Sequence, residues 1–99
     1  MAIKILIKRK FKNANPKMVY EVIYQFRQLA TKENGYISSE SLHKCDDTNL
    51  ILVLSMWQKK EDWDRYMDSP GRKELEKKYS DLFERPPEYE VYHLGLTFE

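Results

Sequence analysis

The sequence is poor in the residues that mark disulfide-rich, metal-binding and phosphate-binding proteins. Cys45 is the only cysteine, so no internal disulfide can form, which fits a reducing compartment. His43 and His93 are the only histidines, and neither stands near Cys45 in a spacing typical of metal ligands. The few glycines form no phosphate-binding loop, and no nucleophile triad or paired-carboxylate motif is present. We therefore expect no metal and no cofactor.

Long apolar stretches and an excess of one charge are also missing. The longest apolar run, Leu50–Leu54, is far shorter than a membrane-spanning helix, and there is no signal-peptide segment. Seventeen basic and sixteen acidic residues leave a formal net charge of +1. The one basic cluster, Lys8-Arg9-Lys10 with Lys12, is typical of a solvated strand end; the alternative is contact with an anion. We expect a soluble, cytoplasmic protein with no nucleic-acid or membrane partner, and one domain over residues 1–99.

Apolar periodicity predicts the element order β-α-β-β-α-β. The first helix is predicted to begin at Asn15-Pro16, with Asn15 as the N-cap and Pro16 as the first helical residue. It is predicted to end at Asn34-Gly35, where glycine can adopt the left-handed conformation that commonly ends a helix. Ser69-Pro70 repeats the cap-then-proline pattern and predicts a further short helix that carries Leu75, Tyr79, Leu82 and Phe83. The predicted strands cover residues 2–11, 36–43, 50–57 and 88–96, and the predicted main helices begin at Pro16 and near Lys60. Un-knotted, right-handed connections then predict a ferredoxin-like α+β domain, a four-stranded antiparallel sheet with both helices on one face and the first and third strands central.

The third predicted strand is apolar on both of its faces. Leu50, Leu52, Leu54 and Met56 share one parity, and Ile51, Val53 and Trp57 share the other. Helices can cover only one face of the sheet, and an uncovered apolar patch commonly marks an association surface. A second copy of the chain that lays its sheet against the first would bury this patch. The alternative is a hydrophobic sheet that stays open to water.

Most of the chain resembles the antibiotic biosynthesis monooxygenase domain. The resemblance rests on the segments GYISSESL (35–42), DDTN (46–49), LILVLSMWQKKEDWDRYMDSP (50–70) and YEVYHL (89–94). It implies membership of the dimeric α/β-barrel superfamily, a homodimer whose two sheets close a barrel, and a pocket between helices and sheet in each subunit. Members of that family include cofactor-independent oxygenases of aromatic polyketides, quinol-directed enzymes, haem-degrading monooxygenases and proteins with no assigned activity.

The haem-degrading branch of this family differs from the sequence at its key positions. That branch needs an Asn on the first strand, a Trp in the second helix and a His ligand just after it. The first strand here offers Lys8 and Arg9, Tyr66 stands in place of the Trp, and Glu76 stands in place of the His. Because glutamate is a poor substitute for imidazole on haem iron, we expect no haem degradation.

Three aromatic residues gather where the third strand passes into the second helix. Trp57, Trp63 and Tyr66 are the predicted substrate-binding residues, which would hold a small aromatic compound by stacking and edge contacts. The alternative is ordinary packing between strand and helix. An oxygenase without a cofactor needs a base for its electron-rich substrate and a donor for developing oxyanion charge, and His43 and Tyr66 are the candidate catalytic residues. The alternative for His43 is a surface residue at a strand edge.

These observations leave two functions open. The first is a cofactor-independent monooxygenase that acts on a small aromatic or quinol-like compound. The second is a non-catalytic dimeric module of the same fold that binds a ligand or responds to stress. A closed cavity with a titratable group directed at its centre would favour the enzyme.

Overall fold

The computed structural model describes residues 2–96, so Met1 and residues 97–99 of the predicted domain lie outside the described residues. The strands are β1 (Ile3–Lys10), β2 (Tyr36–Lys44), β3 (Asp47–Trp57) and β4 (Glu88–His93). The helices are α1 (Pro16–Thr31), α2 (Lys60–Met67) and α3 (Pro70–Lys78), and a short 3₁₀ turn (Ser80–Leu82) follows α3. The predicted element order and ferredoxin-like α+β fold are confirmed.

The four strands form one antiparallel sheet in the order β2-β3-β1-β4. The predicted arrangement, with β1 and β3 in the centre, is therefore confirmed. In the central register, Ile3 lies opposite Trp57 and Ile5 opposite Ser55. His43 and His93 lie on β2 and β4, which are the two opposite edges of the sheet.

Helices α1 and α3 begin at their predicted capping residues. The side-chain oxygen of Asn15 accepts a hydrogen bond from the Met18 backbone N–H at 2.8 Å, and Ser69 Oγ accepts one from the Arg72 N–H at 3.4 Å. Lys59 precedes α2 and makes no side-chain cap. Gly35 has a φ of +89°, and a Cβ there would lie 2.1 Å from Oδ2 of Asp62, so the turn after α1 requires glycine.

Three boundaries differ from the predicted ones by more than one residue. β3 begins at Asp47 rather than Leu50, because the β2–β3 connection is only two residues long and the Lys10–Asp47 ion pair holds the strand start against β1. β4 ends at His93 rather than Leu96, since Gly95 (φ +78°) turns the chain away from the sheet. The third helix ends at Lys78, and Leu82 belongs to the 3₁₀ turn.

One face of the sheet packs against the helices, and we call it the covered face. On β1 and β3, the side chains of the odd-numbered residues point to this face. Among them, Ile3, Ile5, Ile51 and Trp57 are buried. Val22 and Phe26 of α1 complete this core. Ile7, which lines the cavity, and Leu29, near the end of α1, are half-buried and pack at the margin of the core.

The opposite face of the sheet has no helix on it, and we call it the open face. Its apolar members are Leu6 on β1, Leu50, Leu52, Leu54 and Met56 on β3, Leu42 on β2 and Tyr92 on β4. Each of these side chains is half-buried or exposed. Lysines and glutamates of β1, β2 and β4 surround this apolar strip.

Candidate active site: an interior cavity between helices and sheet

A partly open cavity of about 40 Å³ lies between the helices and the covered face. That volume is enough for about three water-sized groups. Its walls are mostly apolar, with hydroxyl groups and guanidinium groups placed among them, which is typical of small-molecule sites. The lining residues are Ile7, Arg9, Ile23, Phe26, Arg27, Ala30, Ser39, Ser41, Val53, Ser55, Trp63, Tyr66, Met67, Arg72 and Tyr89.

An aromatic cluster forms one wall of this cavity. Trp63 and Tyr66 line it directly, with ring centroids 5.7 Å apart. Trp57 is fully buried behind them, stacked on Tyr66 at 5.4 Å, and its indole N–H donates to Ser55 Oγ at 2.7 Å. Of the three predicted substrate-binding residues, Trp63 and Tyr66 thus reach the cavity, and Trp57 supports them from the core.

The phenol of Tyr66 is buried at the cavity wall. Its hydroxyl donates a hydrogen bond to the backbone oxygen of Phe26 at 3.3 Å. Burial raises the pKa of Tyr66 well above its ordinary value, because the phenolate would lose its hydration, and the nearby Arg9 and Arg72 offset this only in part. Tyr66 is therefore protonated at neutral pH, which suits a hydrogen-bond donor and does not suit a general base.

A largely buried ion pair joins β1 to α3 beside the cavity. Arg9 is 4% exposed, and its two terminal nitrogens lie 2.5 and 3.2 Å from the carboxylate oxygens of Glu76. The guanidinium also lies 4.2 Å from the ring centroid of Phe26. The prediction of a solvated strand end is wrong for Arg9, because residue 9 has the same parity as Ile3 and Ile5 and points to the covered face.

Glu76 also connects two further cavity residues. Nη1 of Arg72 lies 3.4 Å from Oε1 of Glu76, and the Tyr89 hydroxyl donates to the same oxygen at 3.4 Å. Burial raises the pKa of Tyr89, so this phenol is also protonated at neutral pH. Within residues 2–96, Glu76 is the one carboxylate at ion-pair distance from Arg9 or Arg72. Two guanidiniums and one carboxylate leave this cluster with one excess positive charge.

His43 lies outside the cavity, on an exposed groove between α1 and the β2–β3 hairpin. Its Nδ1 is 3.3 Å from the backbone oxygen of Lys44. The groove has a volume of about 350 Å³ and is lined by Pro16, Val19, Tyr20, Ile23, Ser41, Leu42, His43, Thr48 and Ile51. Ile23 and Ser41 line both the groove and the cavity, so the two spaces adjoin. The structure therefore does not bring His43 and Tyr66 to the same site.

Other kinds of site have little support in the part of the chain that the structure describes. Over residues 2–96 there is no group of three or more His, Cys, Asp or Glu side chains that could hold a metal ion. Cys45 is exposed in the β2–β3 turn. No helix in this part of the chain is both long and apolar enough to cross a membrane.

The fold and the cavity together define a ferredoxin-like α+β protein with an aromatic-walled chamber between helices and sheet. Residues 3–78 match the antibiotic biosynthesis monooxygenase family, and the chain belongs to that family. Comparison with proteins of curated function yields no match.

Solved structures of similar fold span nearly the whole chain. SnoaB from Streptomyces nogalater, described as a cofactor-independent oxygenase, is 14% identical with a TM-score of 0.84 over 97% of this chain and 95% of that one. A conserved protein from Methanosarcina mazei is 22% identical, with a TM-score of 0.75 over 93% and 91%. A conserved protein from Bacteroides thetaiotaomicron is 14% identical, with a TM-score of 0.76 over 92% and 95%. At these identities the likeness establishes a shared fold.

Proposed function

We propose that this protein is a cofactor-independent monooxygenase that acts on a small aromatic or quinol-like compound. The observation that carries the proposal is the partly open cavity whose walls combine Trp63 and Tyr66 with Arg9 and Arg72. Aromatic walls contact the edge of a planar ring, and buried polar donors orient that edge and stabilise developing charge. The family membership and the fold shared with SnoaB, itself a cofactor-independent oxygenase, support the same reaction class.

The proposed chemistry requires little of the protein beyond positioning and electrostatics. The electron-rich substrate loses a proton and passes electrons to dioxygen. For an activated CH₂ group, one oxygen atom replaces two hydrogens to give a ketone, and the other oxygen leaves as water. The Tyr66 hydroxyl turns from the Phe26 backbone oxygen to donate a hydrogen bond to developing oxyanion charge, Trp63 contacts the edge of the ring that enters the cavity, and Trp57 fixes the position of both aromatic residues. His43, on the groove outside the cavity, is the alternative proton acceptor.

We further propose that residues 1–99 act as one domain and that the protein works as a cytoplasmic homodimer. The apolar strip of the open face supports the dimer, because a monomer would leave Leu50, Leu52, Leu54 and Met56 in contact with water. Two such faces packed together would close the barrel that is typical of the superfamily.

A second candidate function is a non-catalytic dimeric module of the same fold that binds a ligand. One observation favours it: the titratable groups at the cavity are poorly suited to accept a proton from a substrate. The phenols of Tyr66 and Tyr89 have raised pKa values, and Glu76 is paired with Arg9 and Arg72.

Oxygen uptake with anthrone and with 1,4-naphthohydroquinone separates the two candidates. Each is incubated with the protein, with no protein and with unfolded protein, because both compounds oxidise slowly by themselves. The monooxygenase proposal expects faster uptake with folded protein and, under isotopically labelled dioxygen, one labelled oxygen atom in the anthraquinone formed from anthrone or in a hydroxynaphthoquinone formed from the hydroquinone, with the second oxygen atom released as water. Unlabelled naphthoquinone would be a dehydrogenation product and would not count as monooxygenation. Binding of both compounds without any acceleration would contradict the enzyme and support the second candidate.

We do not expect haem to be degraded, and the ion pairs of Glu76 supply the physical reason. The carboxylate that stands in place of the haem ligand accepts hydrogen bonds from Arg9, Arg72 and Tyr89, so iron ligation would have to break all of these contacts. Haem is titrated into the pure protein, and a reductant is then added under air. Conversion of the haem spectrum to that of an open tetrapyrrole would contradict this prediction.

A further inference from the structure

We propose that Ser55 is a ligand-binding residue of the cavity and that its hydroxyl donates a hydrogen bond to a carbonyl oxygen of an uncharged ligand. This inference rests on the proposed function of the same site and adds to it a residue that selects the ligand. It follows from the burial of Ser55, from the direction of its hydrogen bond with Trp57 and from its place in the cavity wall.

The hydrogen bond between Ser55 and Trp57 has only one possible direction. An indole N–H donates and cannot accept, whereas a serine hydroxyl carries one proton and can also accept. Oγ of Ser55 therefore accepts from Nε1 of Trp57, which is 2.7 Å away, and the hydroxyl proton of Ser55 takes no part in this bond. Within residues 2–96 this is the one hydrogen bond that the Ser55 side chain makes, so its proton has no acceptor in the described part of the protein.

Burial makes an unused proton at this position unfavourable. Ser55 is 4% exposed, so its hydroxyl has little contact with bulk water. Buried donors in folded proteins almost always have a partner, and a donor without one is destabilising until something accepts its hydrogen bond. Because Ser55 lines the cavity, a molecule inside the cavity can supply the missing acceptor.

The other hydroxyl groups of the cavity wall are placed differently. The phenols of Tyr66 and Tyr89 already donate to oxygen atoms of the protein. Ser39 shares a hydrogen bond with a neighbouring phenol, and Ser41 is exposed to water. Ser55 is thus the buried hydroxyl at the cavity whose proton is available to a ligand without breaking a bond within residues 2–96.

The surroundings of Ser55 favour an uncharged acceptor. Ser55 lies opposite Ile5 on β1 and opposite Ser39 on β2, and neither neighbour is charged. Arg9 lies four residues beyond Ile5, which separates the two backbone positions by about 13 Å along the strand. Because an anion bonds more strongly to a guanidinium than to a neutral hydroxyl, we expect a carbonyl oxygen rather than an anion at Ser55.

The volume of the cavity limits how much of the ligand reaches Ser55. About 40 Å³ holds about three water-sized groups, which is enough for a carbonyl group and the atoms bonded to it. The rest of a planar ligand must extend outward, and the adjoining groove of about 350 Å³ offers mostly apolar walls for it. Ser55 would thus select ligands by one polar atom at their inner end.

Acetophenone and α-methylstyrene test the proposal, because the second compound has a CH₂ group in place of the carbonyl oxygen and nearly the same shape. Their affinities are measured by NMR titration. Ser55→Ala should weaken the binding of acetophenone by about fivefold, the effect expected for the loss of one neutral hydrogen bond, and should leave the binding of α-methylstyrene unchanged. Ser38→Ala makes the same substitution on the open face of the neighbouring strand β2 and should affect neither compound.

Acetophenone labelled with ¹³C gives a second measurement, which a purely structural role of Ser55 would not affect. A carbonyl carbon resonates further downfield when its oxygen accepts a hydrogen bond, and the methyl carbon of the same molecule reports ring currents from the aromatic wall. In the wild type and in Ser38→Ala, the bound carbonyl signal should lie downfield of its position in hexane. In Ser55→Ala it should move upfield.

A second substitution covers the case in which Ser55→Ala does not fold because the indole N–H of Trp57 loses its acceptor. Ser55→Cys nearly keeps the size of the side chain, but a thiol is a weak donor, so the carbonyl signal should again move upfield. Circular dichroism and thermal melting establish which variants are folded. If neither folds, the position of the wild-type signal relative to hexane decides the proposal alone.

Any of three results would overturn the inference. They are no binding of acetophenone at millimolar concentration, a wild-type carbonyl signal at its hexane position, or the same signal and affinity in the wild type and in a folded Ser55 variant. The oxygen-uptake experiment is read separately. Ketone binding that depends on Ser55 without any oxidation would contradict the proposed monooxygenase alone, and oxidation with ketone binding that is independent of Ser55 would contradict this inference alone.

Discussion

At the scale of single residues, Tyr66 and His43 offer a sharp test of where the proposed chemistry occurs. Tyr66→Phe removes one buried hydroxyl at the cavity wall, and we expect kcat for oxygen uptake to fall by roughly 10²-fold with KM little changed, because one donor to developing oxyanion charge is lost. His43→Gln should have little effect, since His43 is exposed on the groove. Steady-state kinetics on both variants measure this. A large loss of kcat in His43→Gln and no loss in Tyr66→Phe would indicate that proton transfer occurs in the groove and not in the cavity.

The two buried phenols also predict how stability changes at alkaline pH. The pKa values of Tyr66 and Tyr89 are raised in the folded protein, whereas both phenols ionise near 10.0 once unfolded. The unfolded chain then binds fewer protons than the folded one at alkaline pH, so the contribution of these phenols to the free energy of unfolding should be constant below about pH 9 and fall as the pH rises above 10. Urea unfolding at a series of pH values measures this. Tyr89→Phe should reduce the slope, and an unchanged slope in that variant would contradict the prediction.

The site was only partly predictable from the order of residues. Trp63 and Tyr66 could be found because aromatic residues at helical spacing follow a buried strand. Arg9 was missed as a cavity residue because a basic cluster is typical of a solvated strand end. Its odd residue number, which it shares with Ile3 and Ile5 on the alternating strand β1, was a signal that its side chain points to the covered face. Glu76 and Arg72 could not be paired with Arg9 in advance, because 67 residues separate Arg9 from Glu76 and α3 has no strong apolar stripe.

At the scale of the elements, local rules predicted the existence and type of each main strand and helix. Local sequence predicts these helix ends because the residues that set them act on neighbours only a few positions away. They are the caps Asn15 and Ser69 and the glycine after α1, Gly35. The ends of β3 and β4 were less predictable. They depend on the Lys10–Asp47 ion pair and on where the ladder to β1 stops, and both are tertiary features.

The register of α1 makes a prediction about stability. Phe26 is 8% exposed and packs under the guanidinium of Arg9, so Phe26→Ala should lower the free energy of unfolding by roughly 3–5 kcal/mol through the cavity it leaves and the lost ring contact. Tyr20→Ala, on the same helix but 71% exposed, is the control and should cost much less. Chemical denaturation of both variants provides the measurement. Equal losses in the two variants would contradict this assignment of the buried face.

At the scale of the whole molecule, one face of the sheet points to the cavity and the core, and the other face carries the proposed dimer interface. Residues of odd number on β1 and β3 face the cavity and the core, and residues of even number face away from the helices. Leu52 and Val53 are adjacent in sequence but belong to different sides: Val53 lines the cavity, and Leu52 lies on the open face. A charge placed at each position should therefore have different consequences.

Leu52→Lys should separate the proposed homodimer without unfolding the subunit. Apolar burial stabilises by about 25 cal/mol per Å², and a stable interface buries about 1,200–2,000 Å² in total, so a lysine in the middle of the open face would leave a desolvated charge in that interface. Val53→Lys should instead lower the stability of the subunit, because it places the charge in the cavity.

Tyr20→Lys adds the same charge at an exposed position of α1 and is the control for Leu52→Lys. Sedimentation velocity at micromolar concentration should find a dimer for the wild type and for Tyr20→Lys and a monomer for Leu52→Lys. A monomeric wild type would refute the dimer, because the open face would then be stable in water without a second copy.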